Sequence, residues 1–139
     1  MEKYLKIEWP ELDEKVYAKM MFEENPIISA KVWADLPIES MMGHVVISGE
    51  SMWFPTRIVH LGPNKMVKRQ VGDVYFFASG QSIVMTYGGI TETAKVNKFA
   101  QVREEDIAAL KRVGKHVLGS TVINAQRKGV MVKVSAVEM

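Results

Sequence analysis

GDVYFFASGQSIVMTYGG, residues 72–89, is the stretch that decides the predicted fold. Two runs within it, 74–78 and 82–87, are rich in β-branched and aromatic residues, which is typical of strands. A Ser-Gly-Gln turn signal separates the two runs, and a Gly-Gly pair follows the second one. The stretch therefore predicts a tight β-hairpin, in a half of the chain that is dense in strands and turns.

Several segments outside this hairpin also have the apolar pattern of strands. The first two, 5–9 and 16–20, alternate with charged residues and flank a turn, which predicts an opening hairpin. Pro55 interrupts a later segment and indicates a sheet edge or a bulge there. A Leu-Gly-Pro-Asn turn is predicted at 61–64. The later segments are 41–47, 52–61, 97–102 and 130–136.

Two helices complete the pattern. Asn25 and Pro26 are an N-cap and a first-position proline, and they predict a short helix that Pro37 stops. The segment 103–119 has apolar residues at helical spacing, acids in its first turn and basic residues near its end. About eight or nine strands with two capping helices, and no βαβ alternation, predict a mainly β fold: a closed or nearly closed antiparallel β-barrel.

Composition bounds the class of protein. The chain has 139 residues, enough for one domain with a sizeable core and too few for two, so we predict a single domain, 1–139. Hydrophobic residues make up 47% and charged residues 24%, as in folded soluble proteins. The net charge of +2 is too small and too scattered for nucleic-acid binding. Without a recognisable signal peptide or membrane span, the chain is predicted to be cytoplasmic, with no membrane partner.

The motifs of several common chemistries are missing from the sequence. Cysteine is absent, so any chemistry falls to His, carboxylates, Tyr, Ser, Thr or Lys. The GxGxxG, Walker A, HExxH and GxSxG motifs are absent as well. His44, His60 and His116 lie on separate predicted elements at spacings that indicate no metal site. We therefore predict neither a metal nor a cofactor.

A second stretch, HVVISGESMWFP at 44–55, gathers polar groups after a predicted strand. His44 titrates near neutrality unless its surroundings shift it. Glu50, if partly buried at the mouth of a barrel, has a raised pKa that suits acid–base catalysis. Ser48 is a candidate substrate-binding hydroxyl. The alternative, a structural histidine beside a solvated turn glutamate, stays open at this point.

Aromatic residues and an arginine follow in the same stretch. Trp53 and Phe54 point to opposite faces of a strand, so one belongs to the core and the other to a groove or an interface. Arg57 comes four residues after Trp53, and we predict it on the same face, where its planar guanidinium could hold a ligand carboxylate. An ordinary surface arginine is the alternative.

The hairpin of residues 72–89 carries the remaining candidates. Tyr75 and Tyr87 lie on its two strands, and Gln81 lies in the turn between them. If the registers agree, both phenols and the Gln81 amide converge on one end of the sheet. The alternative is a pair of core tyrosines, each with one satisfied hydroxyl.

Three segments together resemble the small bacterial and archaeal cyclophilin-like family that includes the domain of cucumopine synthase. They are LPIESMMGHVVISGESMWFP, VGDVYFFASGQSIVMTYG and VNKFAQV. The most specific element is the Gly-Asp-Val-Tyr strand, followed by its Gly turn and a Tyr-Gly exit. The resemblance implies a closed barrel of about eight strands with capping helices, in agreement with the pattern.

The resemblance also implies an activity. The characterised relative condenses an amino acid with a 2-oxo acid and closes a ring, which needs acid–base groups and carboxylate anchors in one pocket. Residue chemistry supplies candidates for both roles. The acid–base candidates are His44, Glu50, Tyr75 and Tyr87, and the anchors are Arg57 and Gln81.

Three functions are therefore weighed. The first is a small-molecule enzyme that uses acid–base catalysis on a compact nitrogen-containing or carboxylate metabolite, by condensation or by opening a cyclic amide. The second is a non-catalytic module that binds a small ligand or a partner subunit. Prolyl isomerisation is less favoured, because the sequence lacks the Phe-His-Arg type segment of true prolyl isomerases. A homodimer is a further hypothesis, based on Trp33, Trp53 and Phe54 as an exposed aromatic patch.

Overall fold

The computed structural model describes residues 1–62, 65–91 and 94–139, and within these ranges it contains nine strands and two α-helices. The helices are α1 (Pro26–Asp35) and α2 (Ile107–Leu118). The strands are β1 (Lys3–Trp9), β2 (Glu14–Met20), β3 (Ile38–His44), β4 (Gly49–Pro55), β5 (Val67–Lys68), β6 (Asp73–Phe77), β7 (Ser82–Ile90), β8 (Lys95–Val102) and β9 (Val130–Glu138).

Antiparallel pairing closes eight of these strands into a barrel. The order is β2-β1-β9-β3-β4-β7-β6-β8, and β8 pairs back onto β2 through Val102 and Ala18. The short strand β5 pairs with β8 as an addition to the barrel. Closure leaves none of the eight strands with an unpaired edge. The predicted mainly β, closed antiparallel barrel with two helices is confirmed.

The predicted central hairpin is confirmed as β6 and β7. Phe77 pairs with Ser82, and the turn between them is the 3₁₀ helix Ala78–Gly80 followed by Gln81 in the left-handed region at φ 50°. Along β7 the side chains alternate, so that Ile83, Met85 and Tyr87 enter the core. This alternation decides which predicted site residues can meet.

The interior of the barrel is filled by apolar side chains, and both helices add to it. Ile28 and Val32 of α1, and Leu110, Val113 and Val117 of α2, belong to the same buried cluster as the inward residues of the strands. The amphipathic spacing predicted for the second helix is therefore confirmed.

Two predicted strands have different bounds in the structure. The segment predicted as 41–47 is β3, and it ends at His44, leaving Ile47 88% exposed in a loop. The segment predicted as 52–61 is β4, and it ends at Pro55, whose ring nitrogen cannot donate to a neighbouring strand. Both predictions were too long because the loops that follow these strands also contain apolar residues, which continue the sequence pattern of a strand. Of the turn predicted at 61–64, residues 63 and 64 lie outside the described residues.

The helix α1 begins at Pro26 as predicted, but Asn25 does not cap it with its side chain. Instead the Asn25 amide donates to the Asn97 side chain and to the Lys98 carbonyl oxygen, the latter at 2.9 Å. This buried amide therefore joins the start of α1 to β8. Across the described ranges, the helices are all too short or too polar to cross a membrane.

Candidate active site

Three of the residues predicted from the sequence lie at the end of the barrel that α2 covers. His44 ends β3, Glu50 lies near the start of β4, and Tyr87 lies in β7. His44 pairs with Met52, and Met52 pairs with Met85, which aligns the three strands. Glu50 and Tyr87 are each two residues further along, on the side that faces the core and α2. The structure thus brings an imidazole, a carboxylate and a phenol together.

His44 and Tyr87 form a buried hydrogen-bonded pair. The Tyr87 Oη lies 2.6 Å from His44 Nε2, and His44 Nδ1 lies 2.5 Å from the Val45 carbonyl oxygen. Because a carbonyl only accepts, we assign the proton to Nδ1, so that Nε2 accepts from the Tyr87 hydroxyl. The two rings meet edge to face at 73°.

Burial sets the protonation states of this pair. It lowers the pKa of His44 below its ordinary value, despite the opposing effects of the Val45 carbonyl and the Glu50 charge. It also raises the pKa of Tyr87 to about 12, and the Glu50 charge adds to that rise. At neutral pH the imidazole is therefore neutral and the phenol is protonated.

Glu50 is held as a carboxylate by two donors. The Lys115 ammonium lies 2.6 Å from its Oε2, and the Gly89 backbone N–H donates to its Oε1 at 2.9 Å. The hydrogen bond from Lys115 is the main reason that the pKa of Glu50 lies below its ordinary value, and the Gly89 N–H is the second. The sequence predicted the position of Glu50 at the barrel mouth, but the raised pKa expected there is wrong, because Lys115 outweighs desolvation.

A pairing irregularity shapes the strand around this carboxylate. The register of β4 against β7 shifts beside Ser51, so that Glu50 faces three residues of β7, 87–89. Bulges of this kind re-aim side chains and are common beside active sites. A Cβ placed at Gly88 would lie 2.4 Å from Glu50 Oε1, so a side chain there would displace the Glu50 carboxylate from its present position.

Sequence reasoning missed two residues of this site, Gly114 and Lys115, because it treated α2 only as a cap. A Cβ at Gly114 would lie 2.4 Å from the Tyr87 ring, so the helix backbone packs directly on the phenol. A lone glycine inside a strong helical pattern was the available signal, since such a glycine usually has a packing reason.

Tyr75 does not join this site. It pairs with Val84, three residues from Tyr87, so the two phenols lie on opposite faces of the sheet. The predicted convergence of Tyr75, Tyr87 and Gln81 is therefore wrong. On the outer face, the Tyr75 hydroxyl accepts from Arg69 at 2.9 Å.

Ser48 and Trp53 also lie towards that outer face. The Arg69 guanidinium donates to the Ser48 backbone carbonyl oxygen at 3.1 Å. This hydrogen bond involves the main chain of Ser48 and not its hydroxyl, the group that was predicted to bind substrate. Trp53 packs half-buried against Tyr75 and Val84. The prediction that one of the two neighbouring aromatics belongs to the core is confirmed by its neighbour Phe54, which is 1% exposed.

The two predicted carboxylate anchors lie at the opposite end of the barrel from Glu50. Gln81 accepts from the Thr56 backbone N–H through its carbonyl, and Arg57 pairs with Asp35 at 2.9 Å with its side chain 85% exposed. In an extended strand, the segment from Glu50 to Arg57 would span roughly 20 Å, which separates the two side chains widely. The predicted placement of Arg57 beside Trp53 is wrong because β4 ends at Pro55.

The aromatic patch behind the dimer hypothesis does not form as predicted. Phe54 is in the core, Trp53 packs on the outer face of the sheet, and Trp33 packs edge-on against Phe22 with ring centroids 6.0 Å apart. The homodimer stays a prediction without this support.

Two clefts lie elsewhere on the molecule. One of about 320 Å³ lies beside the turn between β1 and β2, and one of about 220 Å³ lies beside His116 and Ser120. His44, Glu50 and Tyr87 line neither cleft. The candidate site is therefore defined by the chemistry of its side chains and lies apart from these two clefts.

The fold defines the class as a cyclophilin-like β-barrel. Within that class, the structure of McbB in complex with tryptophan is similar over 94% of this chain, with a TM-score of 0.84 and 23% identity. This chain spans 44% of the McbB chain. The solution structure of the hypothetical protein AF2241 from Archaeoglobus fulgidus is also similar, with a TM-score of 0.65 and 17% identity over 96% of this chain and 94% of that one.

These similarities show the fold. No protein-family model matches the sequence, and no curated protein matches it significantly. The barrel fold that the resemblance implied is therefore confirmed, and membership of the cyclophilin-like family stays a prediction.

Proposed function

We propose that this protein is a small-molecule enzyme that uses acid–base catalysis on a compact nitrogen-containing or carboxylate metabolite. The observation that carries the proposal is the neutral His44 bonded to the Tyr87 phenol, next to an ionised Glu50 at the end of the barrel. These groups hold different protonation states at one pH, as an acid–base site requires.

The three groups suit the condensation of an amine with a 2-oxo acid. An amine attacks a carbonyl only after it has lost its ammonium proton, and the Glu50 carboxylate is the acceptor for that proton. The carbonyl oxygen takes one proton from Tyr87, whose hydroxyl His44 holds in place, and Tyr87 recovers a proton from the attacking nitrogen. Protonated Glu50 then returns its proton to the same oxygen, which leaves as water. Hydrolytic opening of a cyclic amide uses the same acid and base, so either direction fits.

McbB, of which this chain spans 44%, was solved in complex with tryptophan, and this supports a small amino acid as the kind of ligand to test here. Tryptophan is an amino acid with an ammonium and a carboxylate, the groups that this proposal requires. We therefore use tryptophan as the first test compound for this chain.

A non-catalytic binding module is the second candidate, and one observation favours it. Lys115 and the Gly89 N–H both lower the pKa of Glu50, and a carboxylate with a lowered pKa is a weak base. Such a carboxylate is better suited to hold a cation than to move a proton.

A ligand screen followed by turnover assays separates these functions. Wild-type protein is titrated with the common amino acids, pyruvate, 2-oxoglutarate and cyclic amides, and ligands are then assayed for conversion. Tyr87→Phe should abolish turnover while binding persists, and Glu50→Gln should abolish turnover. Tyr75→Phe, the matched substitution on the outer face, should leave turnover unchanged. If ligands bind but no combination of them is converted, the non-catalytic binding module is the function that remains.

A further inference from the structure

We propose that Lys115 is the residue that binds the carboxylate of the ligand, and that binding exchanges the Lys115–Glu50 ion pair for two ion pairs with the ligand. This inference rests on the proposed function, because it concerns the same site. It replaces the anchors predicted from the sequence, Arg57 and Gln81, which lie at the other end of the barrel.

Lys115 is placed to exchange partners. Its side chain is 65% exposed and that of Glu50 is 36% exposed, so water reaches both charges. Ion pairs at this exposure are weak, and opening one is easily offset by a new partner. Glu50 does not depend on Lys115 for its position, because its other oxygen is held by the Gly89 N–H.

The charges favour a ligand that carries both signs. If Lys115 turned to a ligand carboxylate and nothing replaced it, the Glu50 carboxylate would be left without a positive partner. A ligand with an ammonium for Glu50 and a carboxylate for Lys115 conserves the charge balance and makes two ion pairs in place of one. The chemistry of this end of the barrel therefore matches a small zwitterion.

The neighbouring cations of α2 do not offer the same role. Arg112 is held in a bidentate pair by Glu14, with nitrogen–oxygen distances of 2.6 and 3.0 Å. Lys111 lies one helical turn before Lys115 and is exposed. Lys111 therefore serves as the matched control.

The test is calorimetric titration with L-tryptophan and with L-tryptophanamide, which keeps the ammonium and lacks the carboxylate. Wild-type protein should prefer tryptophan, because the carboxylate makes a charge-assisted bond. In Lys115→Met the Kd for tryptophan should rise about tenfold, and the preference should vanish. Lys115→Arg should retain the preference, and Lys111→Met should behave as wild type.

Each result decides between the claims. If Lys115→Met binds tryptophan as wild type does while Glu50→Gln loses binding or turnover, the Lys115 proposal is wrong and the proposed function stands. If neither tryptophan nor any other amino acid or 2-oxo acid binds wild-type protein, the proposed function fails and Lys115 has no carboxylate to hold. Unchanged melting temperatures in the Lys115 variants would exclude misfolding as the cause.

Discussion

Replacing Gly114 with alanine should damage the site through packing alone. Gly114 lies buried in α2, and a Cβ there would lie 2.4 Å from Cδ2 and 2.5 Å from Cε2 of the Tyr87 ring. Real atoms do not approach so closely, so the helix or the ring must move. Movement of the ring separates its hydroxyl from His44 Nε2, now 2.6 Å away.

The expected change in the free energy of unfolding of Gly114→Ala is the sum of three contributions. Overpacking a core costs about 1–3 kcal/mol. Losing a buried hydrogen bond costs about 1–3 kcal/mol, and alanine in place of glycine inside a helix returns about 1 kcal/mol. Gly114→Ala should therefore lower the free energy of unfolding by about 3 kcal/mol, against the gain that helix propensity alone predicts.

Gly119 supplies the matched control in the same helical segment. Its backbone is helical, with φ −60° and ψ −47°, and a Cβ there would meet nothing within 4 Å. Gly119→Ala should therefore be neutral or stabilising by up to about 1 kcal/mol.

Urea unfolding followed by circular dichroism measures both variants, and the ¹⁵N resonance of His44 Nε2 reports the hydrogen bond. Gly114→Ala should unfold at lower urea concentration than Gly119→Ala and should shift the His44 resonance. If both variants are equally stable and the resonance is unmoved, the close packing of α2 on Tyr87 is refuted.

Three further predictions test the His44–Tyr87 pair and prolyl isomerisation, the less favoured activity. Tyr87→Phe removes the donor to a buried imidazole and should cost about 1–3 kcal/mol in urea unfolding; no loss would mean that the bond is absent. Because burial lowers the pKa of His44 from 6.5, its contribution to stability is present above that pH and is lost as the pH falls through the lowered pKa. The stability difference between wild type and His44→Asn should therefore shrink in acid, and a constant difference would contradict this. The protein should leave proline-limited refolding of a test substrate unaccelerated, and any clear acceleration would restore prolyl isomerisation.

The barrel was predictable because its evidence is local. Alternating side chains mark β1, β2 and β9, and the turn residues at 79–81 mark the central hairpin. The predicted strand ends were wrong where an apolar run continues past the end of a strand, as at Val46 and Ile47 after β3. These residues are apolar and exposed, so periodicity alone assigns them to the strand.

The site was predictable only in part, because its assembly depends on register. His44, Glu50 and Tyr87 were chosen for their chemistry, and their meeting follows from the pairing of β3, β4 and β7. Tyr75 has the same chemistry as Tyr87 but lies on the other face. A shift of one residue in the hairpin register would exchange the faces, and the turn length that sets the register cannot be read from composition.

The position of the site at the α2 end follows from the size of the barrel. An eight-stranded barrel has an interior just wide enough to be filled by its own side chains, and here those are apolar. Charged and titratable groups must then lie at an end, where water or a helix can satisfy them. The α1 end holds the bonded amides of Asn25 and Asn97, which are neutral, and the Arg57–Asp35 ion pair, in which the two charges compensate each other. The α2 end combines an anion, a cation, a neutral imidazole and a phenol, and the proposed binding and proton transfer rest on these groups.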